Sequence, residues 1–220
     1  MVTRGSPFER LPDAARDAMV AAGQQRSYRG GDVIFHQGDF GDALHLVRKG
    51  HAAARISTPA GDVVTLRVIG EGDVFGELAM FTDAHERTAS IVALDEVETL
   101  SLRKGTLEDV RRRHREIDDA LLEVIARRAD NLSQLVAEAY FVSADRRVAR
   151  RLYEVGRLYV GDALPVTVPL TQEDLAAMAG TTRPTANQAL QRLAGLGILS
   201  VARGRIEIND PAALRTRAGW

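Results

Sequence analysis

From Ser27 to Lys104 the apolar residues come in short runs. VIF, LHLV, AAARIS, VVTLRVI and VFGEL place Val, Ile, Leu or Phe on alternate positions or in brief blocks. Gly-Asp pairs punctuate them at Gly31-Asp32, Gly41-Asp42, Gly61-Asp62 and Gly72-Asp73, and 9 of the 19 glycines fall between Gly30 and Gly76. Short alternating runs closed by turn residues predict antiparallel strands, so residues 27–104 read as a β-roll. From Leu107 to Phe141 the period changes. Apolar or small residues recur four and three apart at Leu121, Ile125, Leu132, Leu135, Ala139 and Val142, interrupted by Arg128. This narrow stripe, flanked by Arg127, Asp130, Gln134 and Glu138, predicts a long helix that buries one seam against a partner helix and makes a homodimer. The alternative use of the stripe is packing on its own β-domain. Ser143 and Asp145 are good N-caps and mark a hinge before a helix over 146–159, then a loop with Gly161 and Pro165 and a short strand at Val166-Thr167-Val168.

The segment LTQEDLAAMAGTTRPTANQALQRLAGLGILS has a finer grain. Thr171 and Asp174 have the spacing of a capping box, with Leu175 and Met178 on one face of a helix ending at Gly180. Thr182 can cap a second helix whose first turn tolerates Pro184 and whose buried face continues through Ala186, Leu190 and Leu193. Two helices joined by a tight Gly-containing turn are a helix-turn-helix. The hairpin expected from Ile198 to Ile208, with Arg203-Gly204-Arg205 at its tip, adds a wing. On such a unit Arg183, Thr185, Asn187 and Gln188, after the Thr182 cap, can reach base edges in the major groove. Arg203, Arg205 and Thr171 are better placed for phosphates, which position a protein without reading sequence. The predicted organisation is α+β: a sensor domain over 1–117, a dimerisation helix over 118–142 and a winged helix-turn-helix over 143–220.

Charge changes the picture. The 220 residues carry a formal net charge of −1, which argues against a polyanionic partner. Yet 18 basic and 23 acidic residues lie before Ser143, net −5, and 11 arginines against 7 acidic residues follow, net +4. The basic excess sits with the helix-turn-helix. With no cysteine, disulfides, zinc-thiolate sites and Cys-ligated iron–sulfur clusters are excluded. The five histidines show no spacing of a helical metal site, so no metal is expected. The charged N-terminus and the lack of a run near the roughly 18 apolar residues of a membrane span predict a cytoplasmic protein with no membrane partner. No nucleophile–base pair stands out, so catalysis has no support and no enzyme is expected.

The β-domain holds its own chemistry in FGELAM, from Phe75 to Met80, followed by Glu86-Arg87-Thr88-Ala89-Ser90. A Gly before a short helical turn with an Arg-Thr pair opposite can close on an anion. Glu77 does not suit a phosphate but suits a sugar hydroxyl; the competing reading pairs Glu77 with Arg87. Together the β-roll, long helix and winged helix resemble, over nearly the whole chain, the cyclic-AMP receptor and Crp-Fnr family of bacterial transcription regulators. FGELAM and RTA match the family's phosphate-binding cassette. The resemblance implies that Gly76, Glu77 and Leu78 line a cyclic nucleotide, with Glu77 on the ribose 2′-hydroxyl, and that Arg87, Thr88 and Ala89 form the phosphate side. It implies a two-fold-symmetric double-stranded DNA operator, and RNA polymerase as a candidate further partner. The family's Thr-Ser pair for the base falls on Leu132 and Ser133, with Asn131 beside it. Thr88 could accommodate a guanine, so cAMP and cGMP both stand. In the recognition helix the family's Arg-Glu…Arg becomes Arg183-Pro184…Gln188, which predicts a different operator. The intact cassette weighs against haem. Two other readings keep the fold: constitutive DNA binding without a nucleotide, and a nucleotide sensor acting through protein contacts.

Overall fold

The computed structural model describes residues 6–57, 63–159 and 164–219; the Gly61-Asp62 and Gly161 turns expected from sequence lie outside them. In chain order the elements are α1 (Asp13–Ala22), β1 (Gln24–Tyr28), β2 (Val33–Phe35), β3 (Ala43–Lys49), β4 (Ala52–Ser57), β5 (Val63–Ile69), β6 (Val74–Phe75), α2 (Leu78–Phe81), β7 (Ser90–Ala93), β8 (Val97–Arg103), α3 (Lys104–Arg113) and α4 (Glu116–Phe141). There follow α5 (Ala144–Gly156), β9 (Val166–Val168), α6 (Gln172–Met178), α7 (Arg183–Gly195), β10 (Leu199–Ala202), β11 (Arg205–Ile208) and α8 (Pro211–Ala218). The chain divides into two compact units, residues 1–57 with 68–133, and residues 58–67 with 134–220. Among the described residues no helix is long and apolar enough to cross a membrane.

The β-roll is two four-stranded sheets, ordered β1-β8-β3-β6 and β2-β7-β4-β5. Strand β3 is buried on both faces: Leu44 joins one apolar cluster and Val47 the other, while Lys49, beyond a bulge, is exposed. One core cluster gathers Phe8, Leu11, Ala15 and Met19 from the N-terminal segment, Leu44, Leu100 and Leu102 from the sheet, and Leu107, Val110, Ile117, Ala120 and Leu121 from α3 and α4. A second cluster, Val47, Ile69, Phe75, Ile91 and Val97, fills the roll, with Tyr28, Ile34 and Phe35 against it.

Two expectations about the long helix change. The helical stretch beginning near Leu107 is two helices, broken at His114 where φ is −132° and ψ 84°. The charges suit a break: Arg111, Arg112 and Arg113 close α3, and Glu116, Asp118 and Asp119 open α4, each on the favourable end of its helix dipole. Arg111 pairs with Asp118 and lies 5.2 Å over the Phe81 ring. Leu121 is also misplaced by the seam reading. It is 3% exposed in the roll's own core with Ile117 and Ala120, whereas neighbouring Leu122 is 67% exposed. The first turns of α4 therefore serve their own domain, and the exposed apolar stripe continues through Leu132, Val136 and Tyr140. Ile125 and Leu135 are half-buried, and Ala139 is exposed.

The C-terminal unit follows the sequence reading closely. The three-stranded sheet β10-β11-β9 is antiparallel, with Val201 opposite Ile206 and Ile206 opposite Val168. Arg203 and Gly204 form the two-residue turn, where Gly204 has φ +74°, a conformation that glycine adopts without Cβ strain.

Candidate functional site

The cassette is built around one arginine. β6 ends at Phe75, and Gly76, at φ +83°, turns the chain so that Glu77 enters α2. A Cβ at Gly76 would stand 2.4 Å from Arg87 Nη1, and one at Gly41 would stand 2.7 Å from Arg87 Nε. Both glycines leave room that the guanidinium fills. Arg87 is 5% exposed, and its Nη1 donates to the carbonyls of Ala43 at 2.9 Å and Gly76 at 2.7 Å. Its Cζ lies 4.1 Å over the Phe35 ring. Nε is buried with no hydrogen-bond partner. Burial holds the guanidinium below its ordinary value, and Asp42 and Asp39 partly offset this. The segment is pinned from both sides, since Arg87 N–H donates to the Asp39 carbonyl at 2.8 Å and Gly38 N–H donates to the Arg87 carbonyl at 2.8 Å.

Glu77 is fully buried, at 0% exposure, and neither carboxylate oxygen has a well-formed hydrogen bond. Its charge partner is Arg128 of α4, whose Nη2 also donates to the Val74 carbonyl at 2.7 Å. The competing Glu77–Arg87 pairing is therefore not the arrangement found: each side chain has other partners. In the sequence Arg128 interrupts the apolar seam, and its basic character on that stripe is the signal that marks it. Of the remaining expected residues, Thr88 is exposed, and Leu78 and Ala89 are half-buried beside the buried pair. On α4, Ser133 donates back to the Ala129 carbonyl at 3.0 Å, while Asn131 and Leu132 are exposed. No described contact brings these three to the cassette.

A buried cation with an N–H that has no hydrogen-bond partner lies in the same short cassette as a buried carboxylate whose charge is met by Arg128, so the cassette offers both a donor for an anionic oxygen and an acceptor for a hydroxyl.

The second site lies in the C-terminal unit. Thr171 caps α6 as expected: its Oγ1 accepts from Asp174 N–H at 3.1 Å, and its own N–H donates to Asp174 Oδ2 at 3.0 Å. Thr182 caps α7, with Pro184 in the first turn and Oγ1 accepting from Thr185 N–H at 3.4 Å. Arg183 and Gln188 are exposed, whereas Asn187 is half-buried with Oδ1 shut off from solvent and unpartnered. A cleft lined by Thr171, Gln172, Arg183, Arg203 and Arg205 runs between the start of α6, the start of α7 and the wing. Of the expected DNA contacts, Thr171, Arg183, Arg203 and Arg205 line this cleft, and Thr185, Asn187 and Gln188 are not among its lining residues. Arg205 Nε donates to Glu207 Oε1 at 2.9 Å, which holds the Glu207 carboxyl below its ordinary range and leaves Arg203 as the wing's less encumbered cation. Arg147, which the sequence reading passed over, donates to the carbonyls of Val142, Ala179 and Gly180, tying the start of α5 to the turn of the helix-turn-helix.

Comparison with known proteins identifies both domains. Residues 25–114 match the cyclic nucleotide-binding domain, and residues 146–217 match the Crp-like helix-turn-helix domain. A CRP-like cAMP-activated global transcriptional regulator of Mycobacterium tuberculosis is 30% identical over 221 residues, covering 99% of this chain and 98% of the relative. A cyclic AMP receptor protein of Thermus thermophilus is 32% identical over 212 residues, 96% of each. Among solved structures, the Thermus thermophilus catabolite activator protein aligns with a TM-score of 0.56 at 31% identity, covering 98% of this chain and 99% of that one. A global regulator from Xanthomonas campestris shares the fold at a TM-score of 0.78 and 16% identity, covering 90% and 99%. With a cyclic nucleotide-binding domain ahead of its helix-turn-helix and relatives matched from end to end, this chain belongs to the CRP family of transcription regulators.

Proposed function

We propose that this chain is a homodimeric cytoplasmic regulator that binds a two-fold-symmetric operator under the control of cAMP. The carrying observation is the buried pair of Arg87, whose Nε has no hydrogen-bond partner, and Glu77, whose carboxylate is met by Arg128 of α4. The names of the relatives, cAMP-activated and cyclic AMP receptor, favour cAMP over cGMP. Arg87 holds the cyclic phosphate with help from Thr88 and the backbone at Ala89. Glu77 accepts from the ribose hydroxyl between Gly76 and Leu78. Asn131 and Ser133 are the polar groups that α4 offers to the base.

Glu77 is where occupancy meets α4. Its ion-pair partner among the described residues is Arg128, so any hydroxyl that takes a share of the carboxylate changes what holds Arg128. A ligand shifts an equilibrium only by interacting differently with the two states, and this contact supplies such a difference. The exposed stripe of α4 serves as the dimer seam. A dimer places two copies of α7 on successive major grooves, with Arg183, Thr185, Asn187 and Gln188 toward bases and Thr171, Arg203 and Arg205 toward phosphates.

Isothermal titration of the purified protein with cAMP and cGMP, beside Arg87→Ala, tests the nucleotide. Saturable cAMP binding, weakened about 100-fold by the substitution, is expected on the scale of lost charge-assisted hydrogen bonds. Absence of binding, or binding indifferent to the substitution, overturns it. A mobility-shift assay with and without cAMP tests control: equal DNA affinity in both supports constitutive binding, and no DNA affinity in either supports a sensor that works through protein contacts.

A further inference from the structure

Arg87 is buried with no carboxylate among the described residues within salt-bridge distance, and it is held by two carbonyls and an aromatic face. That face is part of a larger assembly. His45 on β3 stacks on Phe75 of β6 with ring centroids 4.9 Å apart and planes 2° from parallel. The two residues are direct cross-strand partners in the antiparallel β3–β6 register. Phe35 leans on both rings, 5.8 Å from Phe75 and 6.1 Å from His45. His45 is fixed in turn by a 3.2 Å hydrogen bond between Nδ1 and Thr99 Oγ1, and Thr99 is buried. Three rings from three strands, anchored by one buried hydroxyl, present a phenyl face to one guanidinium.

The energetic reason is a problem of desolvation. A buried guanidinium without a counter-ion loses hydration that two carbonyl acceptors only partly replace. A carboxylate would repair this, but it would also neutralise the charge the ligand needs and compete with a phosphate. An aromatic face stabilises the cation through its quadrupole, by roughly 1–2 kcal/mol when desolvated, without supplying an anion. Platform and phosphate therefore do not compete.

We propose that the Phe35 ring, braced by the His45–Phe75 stack, is a positioning platform that holds Arg87 extended and charged in the nucleotide site, and so sets the affinity for the cyclic phosphate. This rests on the nucleotide reading above. Phe35 is a positioning residue: it acts on the ligand through Arg87. The imidazole works as a neutral ring. Its burial and the neighbouring charges of Arg87 and Arg26, against the opposing pull of Asp42, push its pKa down to about 4.

The test is a set of four variants, Phe35→Leu, Phe35→Tyr, Arg87→Lys and the Phe35→Leu/Arg87→Lys double variant, titrated calorimetrically with cAMP at pH 7.5. Phe35→Leu is expected to weaken binding about tenfold, the equivalent of about 1.4 kcal/mol, and Phe35→Tyr, which keeps the aromatic face, to stay within about twofold of the parent. In the Arg87→Lys background, Phe35→Leu is expected to change the affinity by much less, since the planar guanidinium is what the ring holds. Unchanged affinity in Phe35→Leu, or an equal loss in both backgrounds, overturns the platform. The Arg87 Nε–Hε resonance in a nitrogen–proton correlation spectrum reads the stacking with no ligand present. A ring-current upfield shift is expected in the parent, retained in Phe35→Tyr and lost in Phe35→Leu; its absence in the parent also overturns the proposal. If the parent fails to bind cAMP but shows the shifted resonance, the nucleotide reading fails while the Phe35–Arg87 stacking stands.

Discussion

At the scale of single residues, the nucleotide pocket is a balance of groups that burial makes expensive. His45 shows the sign of one such cost. In the unfolded chain it takes a proton near its ordinary value of 6.5; in the fold, burial first, then Arg87 and Arg26, delay protonation to about 4. The unfolded state thus binds more protons between these limits, so stability falls as pH drops from about 6.5 toward 4 and is unaffected by this group above that window. The whole effect is about 3 kcal/mol. Urea unfolding across pH 4 to 8 should show the decline, and His45→Phe, which preserves the stack on Phe75, should flatten this share of it. An equal decline in both proteins would show that other groups carry it. Gly41 offers a second prediction. A Cβ there would meet Ala79 Cβ at 2.6 Å and Arg87 Nε at 2.7 Å, so Gly41→Ala should cost about 1–3 kcal/mol by overpacking and displace the guanidinium from Phe35. Titration with cAMP should show a parallel loss of affinity. Residues of this kind were only partly legible beforehand. Arg87 and Glu77 stood in a recognisable run, because a short cassette is contiguous in sequence. Phe35, His45 and Phe75 lie on three different strands, and only the β3–β6 register and the lean of β2 bring their rings together.

At the scale of elements, the least legible feature was how one helix divides its work. Period alone assigned Leu121 to an intermolecular seam, since Leu121 and Ile125 are spaced as in a heptad. The inward face that claims Leu121 is set by Ile117, Ala120 and Val124, which spacing cannot separate from a seam until the sheet beneath is known. The consequence can be tested. Leu121→Ala should remove about 2–5 kcal/mol of folding stability, as expected for a buried leucine, while the purified fold remains a dimer. Val136→Glu, on the exposed stripe, should do the reverse: dissociate the dimer in analytical ultracentrifugation and leave the folded monomer's β-roll intact. Dissociation by Leu121→Ala alone would return the seam to its first reading. The wing and its helices were far more legible, because Thr171, Asp174, Thr182, Pro184 and Gly204 are local signals whose geometry needs no tertiary partner. The junction of α4 and α5 is the opposite case. Glu138 is held by Arg150 at 2.9 Å and by Arg151, and all three side chains are largely buried. These residues are 12 and 13 positions apart in sequence. Glu138→Gln should lower stability by about 2–3 kcal/mol, because it removes the carboxylate charge that Arg150 and Arg151 share in a poorly hydrated place, even though Arg151 keeps Glu154; no change in the urea midpoint would show that the arginines do not depend on that charge.

At the scale of the whole molecule, a net charge of −1 is the sum of an acidic sensor segment and a basic reader segment, and DNA affinity depends on the second. The reader's arginines are not equivalent. Arg150 and Arg151 are spent on Glu138, and Arg147 on backbone carbonyls, so they add little to an outward field. On the wing, Arg205 shares its charge with Glu207, while Arg203 is exposed at the turn, and Arg183 stands at the start of the recognition helix. Phosphate contacts reveal themselves by counterion release, with a slope of about 0.9 in log K against log salt for each contact. In a dimer, Arg203→Ala should therefore flatten the salt dependence by about two and weaken all sequences alike. Arg205→Ala should flatten it less, because Arg205 already shares its charge with Glu207 and so neutralises less of a phosphate. Arg183→Ala should leave most of the slope and relax the preference at one symmetric pair of base positions, by about 1–3 kcal/mol against the best base. Fluorescence anisotropy on an operator selected from random sequence, repeated from 50 to 300 mM salt, separates these outcomes. If all three arginines change slope and specificity together, the division between a wing that positions and a helix that reads is wrong, and the cleft they share acts as a single unit.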